Sequence, residues 1–158
     1  GVKFKSRMEA NWARWLDEYN IKWEYEAQGF KVGRLWYLPD FWLPECNTII
    51  EVKGAMKRIN KAYAFYKALA DECGGEYCPD KTIMFILAGP VPHIYNIHPD
   101  YSEGICVLRC RNCGTTSLVT WMGSYACRAC GHHEGTHDLI KRGLPVLTKP
   151  LEWLQLEK

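Results

Sequence analysis

The stretch Trp36-Tyr-Leu-Pro-Asp40-Phe-Trp-Leu-Pro-Glu-Cys-Asn-Thr48-Ile-Ile-Glu51-Val-Lys53-Gly54 decides the fold. Its second half, Thr48 to Lys53, reads as a strand, because Ile49, Ile50 and Val52 are β-branched and Gly54 closes the run. Side chains two apart on a strand share a face. Glu51 and Lys53 therefore point one way, and Ile50 and Val52 point the other way, into a core. A carboxylate and an amine at the end of an apolar strand are costly unless both find partners. Asp40 sits behind Pro39 among Tyr37, Leu38, Phe41, Trp42 and Leu43, and adds a second carboxylate. A cation held by Asp40 and Glu51, with Lys53 facing a bound anion, would satisfy all three. The plainer alternative for Asp40 is a turn aspartate.

Outward from this stretch, Ser6 to about Tyr19 reads as a helix, with Met8, Trp12, Trp15, Leu16 and Tyr19 forming one apolar stripe. Ser6-x-x-Glu9 has the pattern of a capping box, yet Glu9 also lies beside that stripe, within reach of a sheet edge. Lys22 to Ala27 alternates as a half-buried strand. Gln28-Gly29 and Gly33-Arg34 bracket a turn, and Leu35 to Leu43 returns as a second strand. Pro39 removes a ladder donor, so Asp40 is expected where pairing breaks or at an edge. After Gly54 a helix is expected from about Met56 to Cys73, ended by Gly74-Gly75. Its cations include Lys57, Arg58 and Lys61, near a helix N-terminus that favours anions. They read either as contacts to a phosphate backbone or as an ordinary solvated face. Thr82 to Ala88 is the next buried strand, and His93 to Ile97 a further short one.

Pro39-Asp40, ten residues, then Glu51-Val52-Lys53 resembles the PD-(D/E)xK nuclease superfamily. The resemblance covers about the first two-thirds of the chain. It implies an α/β fold with a restriction-endonuclease-like core in the order α-β-β-β-α-β, here with an appended zinc-ribbon hairpin. It also implies hydrolysis of DNA by an endodeoxyribonuclease using Mg²⁺ or Mn²⁺. Asp40, Glu51 and the Val52 carbonyl would bind the metal, joined by Glu9 if the helix-borne acid takes part. Lys53 would orient water or stabilise charge on phosphorus.

The chain has 158 residues, 47% hydrophobic, and a net charge of +2, which suits one core domain plus a small appendage and gives no global basic signal. No segment is apolar for long enough to cross a membrane. No signal peptide is visible, and Gly1 in place of a methionine suggests a start that is missing or tagged. Of the eight cysteines, four fall in Cys110-Arg-Asn-Cys113-Gly and Cys127-Arg-Ala-Cys130-Gly. Such turns bring four thiolates to a tetrahedral Zn²⁺ in a closed, structural site. A hairpin around Met122-Gly123 is expected between them, and disulfides are the alternative. Metal-binding cysteines indicate a reducing, intracellular (cytoplasmic) setting. Cys46, Cys73, Cys78 and Cys106 read as buried thiols, with Cys106 the reserve ligand. Trp121 and Tyr125 could stack on a base or pack on the core. An HNH-type nuclease, suggested by His132, His133 and His137, is set aside because no histidine lies between the two turns.

The expected organisation is a nuclease core over 1–104, a four-cysteine ribbon over 105–134 and a tail over 135–158. An amphipathic tail segment with Leu151, Trp153, Leu154 and Leu156 would pack on the core or on a homodimer partner. DNA is the expected partner, with an activating protein as a further one. The enzyme would be a general or a structure-selective endonuclease, and compactness suggests a phage or mobile-element origin. The rival reading is a non-catalytic DNA- or protein-binding module built on a decayed core, although Asp40, Glu51 and Lys53 are all retained.

Overall fold

The computed structural model describes residues 1–55, 60–72, 83–95, 105–120, 126–132 and 137–147. The first helix, α1 (Arg7–Glu18), starts where the sequence places its cap. The Ser6 hydroxyl accepts the Glu9 N–H at 3.1 Å. Trp12, Ala13, Trp15 and Leu16 are buried on its inner face. The Trp12 indole N–H reaches across the core to the Gly89 carbonyl, 2.6 Å away.

The strands that follow are β1 (Glu24–Tyr25), β2 (Phe30–Val32), β3 (Leu35–Tyr37), β4 (Phe41–Leu43) and β5 (Thr48–Val52). The helix α2 (Asn60–Glu72) then leads to β6 (Met84–Ala88). The main sheet has the order β1-β4-β5-β6. β4 is antiparallel to β1 and to β5, whereas β5 and β6 are parallel, Thr48 facing Met84 and Val52 facing Ala88. Parallel neighbours need a crossover, and α2 lies in it. Every residue of β5 and β6 is buried, as expected for strands covered on both faces.

The single strand expected over Leu35 to Leu43 is two strands. Pro39 has no N–H, and pairing stops around Leu38-Pro39-Asp40. The upstream half turns away and pairs with β2 as a separate hairpin, in which Phe30 faces Tyr37 and Val32 faces Leu35. Residues 30–32, expected inside a turn, are thus a strand. Tyr37 stacks on Phe65 of α2 with ring centroids 5.0 Å apart and anchors the hairpin to the core. Of the short strand expected over His93 to Ile97, Ile94 forms bridges to Ala88 and Val146, and 96–97 lie outside the described residues.

The remaining strands form a third sheet: β7 (Ile105–Cys110) lies between β8 (Thr116–Thr120) and β9 (His137–Lys141). β8 pairs with β7, Val107 facing Leu118, and the expected turn at Met122-Gly123 lies outside the described residues. β9, in the segment expected as the tail, pairs with β7 and completes the cysteine-bearing sheet. Beyond it the chain returns to the main sheet. The Leu144 N–H donates to Ile105, the Ile94 N–H to Pro145 and the Leu147 N–H to Ile94. Ile105, Val107, Leu118 and Leu144 belong to the same buried cluster as Ile49, Phe85 and Ile94. Cys106, Leu108 and Val119 form a small second cluster on the other face of β7. The segments around Cys73, Cys78, Trp121, Tyr125 and His133, and the tail from 148 onward, lie outside the described residues.

Candidate active site and candidate metal centre

Asp40 and Glu51 meet where the β4–β5 ladder ends. The last ladder pair is Phe41 with Ile50. One step further, side chains take over the bonding. The Asp40 N–H donates to Glu51 Oε2 at 3.2 Å, and the Val52 N–H donates to Asp40 Oδ2 at 2.8 Å. The Asp40 carbonyl, on the opposite side, accepts the Glu26 N–H at 2.9 Å. Lys53 Nζ is ion-paired with Glu51 Oε1, as two residues on one face of a strand should be. Glu51 is almost fully buried, with 4% of its side chain exposed against 25% for Lys53. The Lys53 backbone is itself fixed: its N–H donates to Ala88 at 2.8 Å and its carbonyl accepts the Tyr95 hydroxyl at 3.1 Å.

Burial pushes the Asp40 carboxyl up to about 7, and the negative charge of Glu51 adds to the shift. The Val52 N–H and the Lys53 ammonium oppose it. Two crowded carboxylates with one nearby amine form a site short of positive charge. Burial also raises Tyr37, with the Glu51 charge and a hydrogen bond to Glu51 contributing.

Glu9 is buried at the start of α1 and realises the capping reading. Its carboxylate accepts the Lys5 N–H at 3.0 Å and the Tyr25 hydroxyl. Burial alone would raise its pKa, but hydrogen bonds from Tyr25, Ser6 and Lys5 outweigh that and hold it below the usual carboxylate range. Its charge is nonetheless felt at Asp40. Among the described residues, the one group of three or more His, Cys, Asp or Glu side chains close enough to share an ion is elsewhere, so Glu9, Asp40 and Glu51 do not form one. Lys61 Nζ lies 5.9 Å from the Tyr37 ring centroid, whereas Lys57 and Arg58 lie outside the described residues.

That one group is Cys110, Cys113, Cys127 and Cys130, whose sulfurs all lie within 4.8 Å of one another. Cys110 and Cys130 are 3.8 Å apart, Cys113 and Cys127 3.7 Å. A tetrahedron with ~2.3 Å metal–sulfur bonds has edges of about 3.8 Å, so the four thiols are spaced to hold a structural metal such as zinc. The two turns repeat one design. The Gly114 N–H donates to the Cys110 carbonyl and the Gly131 N–H to the Cys127 carbonyl, at 2.8 and 2.7 Å. Both glycines adopt positive φ, 78° and 73°, which side chains rarely tolerate. Hydrogen bonds from Thr115 bring Cys113 down to about 6, and the Asn112 amide donates to Cys130 at 3.5 Å. Arg128, in the second turn, donates to the Cys46 carbonyl at 3.3 Å and ties the centre to the main sheet. His132 lies on the surface, and its carbonyl accepts the Cys127 N–H at 3.0 Å.

No protein-family model, curated protein or solved structure matches the chain.

The sequence did not mark Lys5, Tyr25, Tyr37 or Tyr95 as site residues. The alternation of Trp23, Tyr25 and Ala27 shows which face of β1 turns inward. It carries no signal that Tyr25 meets Glu9, a contact sixteen positions away.

Proposed function

We propose that the chain is a metal-dependent DNA endonuclease that hydrolyses phosphodiester bonds, with a restriction-endonuclease-like core and a structural Zn²⁺ at the four cysteines. One observation carries this reading: the exchange of backbone and side-chain bonds between Asp40 and Glu51–Val52, with Lys53 alongside. It sets two carboxylates and one ammonium at the end of a buried strand. Oxygen donors in this number suit Mg²⁺ or Mn²⁺, which keeps waters and phosphate oxygens in its other positions. The raised Asp40 carboxyl fits the same view, since a divalent cation would offset the crowding of charge. When bound, the metal supplies Lewis-acid polarisation of a phosphate oxygen and charge compensation.

The residues themselves do the rest. Asp40 and Glu51 would hold the cation, with the Val52 carbonyl as a further oxygen donor. The Val52 N–H fixes Asp40 Oδ2, so Oδ1 is the oxygen that would be left for a cation. Lys53 Nζ can move from Glu51 Oε1 to the attacking water or to a non-bridging phosphate oxygen, where it stabilises developing negative charge. Glu9 holds the start of α1 and the Tyr25 hydroxyl in place, and adds negative charge near Asp40. Lys61, with Lys57 and Arg58, would receive the phosphate backbone.

The test is cleavage of supercoiled plasmid, linear duplex, single strand and four-way junction with Mg²⁺, Mn²⁺ or EDTA. Wild-type protein is run beside Asp40→Ala and Lys53→Ala. Metal-dependent cutting that both substitutions remove is the expected result. Cutting that survives in Asp40→Ala, or no cutting of any substrate, would overturn the assignment.

A further inference from the structure

The β2–β3 hairpin, which leads into Asp40 along the chain, carries an unusual surface. Val32 and Tyr37 face inward and are buried, whereas Lys31 and Trp36, paired across the strands, face outward. Trp36 is 64% exposed, more than any other large apolar side chain among the described residues. Its neighbours Leu35 and Leu38 are exposed too. The indole is nonetheless held. Lys31 Nζ lies 5.6 Å from its ring centroid, and the ring edge passes Gly29 at a distance where a Cβ would be in ordinary contact, 3.7 Å. Residues 28–39 contain two cations, Lys31 and Arg34, and no acid, and both cations are exposed. At the tip, the Glu72 carboxylate accepts the Gly33 N–H at 3.2 Å.

We propose that this hairpin is a stacking platform for an unpaired DNA base, with Trp36 taking the base and Lys31 and Arg34 the flanking phosphates. The inference deepens the nuclease reading and rests on it for the identity of the strand. An indole projecting from a hairpin reaches only a base that has left the stack, because bases within a duplex cover one another's faces. Three apolar side chains interleaved with cations make a patch well below the roughly 800 Å² per partner of a stable protein interface. Trp36 and Asp40 are four positions apart, at most about 14 Å of chain. At ~3.4 Å per nucleotide along one strand, the stacked base lies up to about four nucleotides from the phosphate at Asp40. The hairpin would thus make the enzyme prefer gapped, branched or single-stranded sites.

The experiment measures binding by fluorescence anisotropy with the non-cleaving Asp40→Asn protein. The probes are a labelled intact duplex, the same duplex with a short gap, and a single strand. Trp36→Ala and Trp36→Phe are added to that background. Trp36→Ala should lower the affinity ratio of gapped to intact duplex by about 5-fold or more, the lower end of what one stacked base contributes. Trp36→Phe should restore most of the ratio, and circular dichroism should show an unchanged fold. An unchanged ratio in Trp36→Ala, or an equal loss on both DNAs, overturns the inference even if wild-type protein cleaves DNA. A Trp36-dependent ratio in a protein that cuts nothing sustains the platform and overturns the nuclease reading. Concentration-dependent self-association that Trp36→Ala abolishes, with no effect on DNA, assigns the patch to a second copy and overturns the inference.

Discussion

Asp40→Asn should stabilise the metal-free protein above neutral pH and do little below pH 4. In the fold this carboxyl is pushed up from 3.8 to about 7, first by burial and then by Glu51. The folded chain therefore keeps a proton that the unfolded chain releases. Stability falls as pH rises from about 4 to about 7 and is constant beyond that, since the folded state binds more protons across the window. At 1.36 kcal/mol per pH unit the full penalty is at most about 4 kcal/mol. Asp40 is partly open to water, and screening reduces this to about 2 kcal/mol. Asparagine removes the charge and keeps an oxygen for the Val52 N–H, so the bond that closes the sheet survives. For a chain of this length, 2 kcal/mol corresponds to a rise in Tm of about 4–8 °C. The assay is thermal and urea unfolding of both proteins in EDTA at pH 4, 6 and 8. The difference should grow from about zero to its full value across that range. Added Mg²⁺ at pH 8 should stabilise wild type and leave the variant nearly unchanged. A variant less stable than wild type at pH 8, or a difference that ignores pH, would refute the crowded-carboxylate account.

Cys113→Ser should remove most of the bound metal, read by elemental analysis, and lower the Tm of the whole chain in one transition, because β7 and β8 share the main core. An unchanged metal content would refute the centre. Trp12→Phe leaves the Gly89 carbonyl without its indole donor and should cost about 2 kcal/mol in urea unfolding. Glu9→Gln should keep the cap, since glutamine serves in a capping box, and should change stability by less than about 1 kcal/mol. A drop of about 100-fold in cleavage rate for that variant would instead make Glu9 a participant in the chemistry.

The parts of this fold legible in the sequence are those set by local periodicity. Ser6 and the stripe through Trp12 and Leu16 mark α1, and the β-branched run marks β5. The Cys-x-x-Cys-Gly pairs mark both turns of the metal centre. Asp40 is found beside Glu51 because Pro39 both flags it and ends the ladder there. The missed parts depend on distant partners. β2 is three residues long inside a glycine-flanked segment, and its pairing is fixed by Tyr37 packing on Phe65. β9 carries His137, Asp138 and Lys141 around exposed Leu139 and Ile140, so no buried face announces a strand. Its place comes from pairing with β7 across more than twenty-five intervening positions.

The continuity of the core across β7 and β8 bears on how such a chain evolves. A lobe joined by a linker can be exchanged between proteins as a cassette. Here Ile105, Val107, Leu118 and Leu144 fill the same interior as Ile49 and Phe85, and the segment after β9 returns to bond Ile94. Neither half can be lost or replaced without baring apolar surface on the other. The cysteine-bearing half and the half that carries Asp40 therefore each constrain the substitutions that the other can accept.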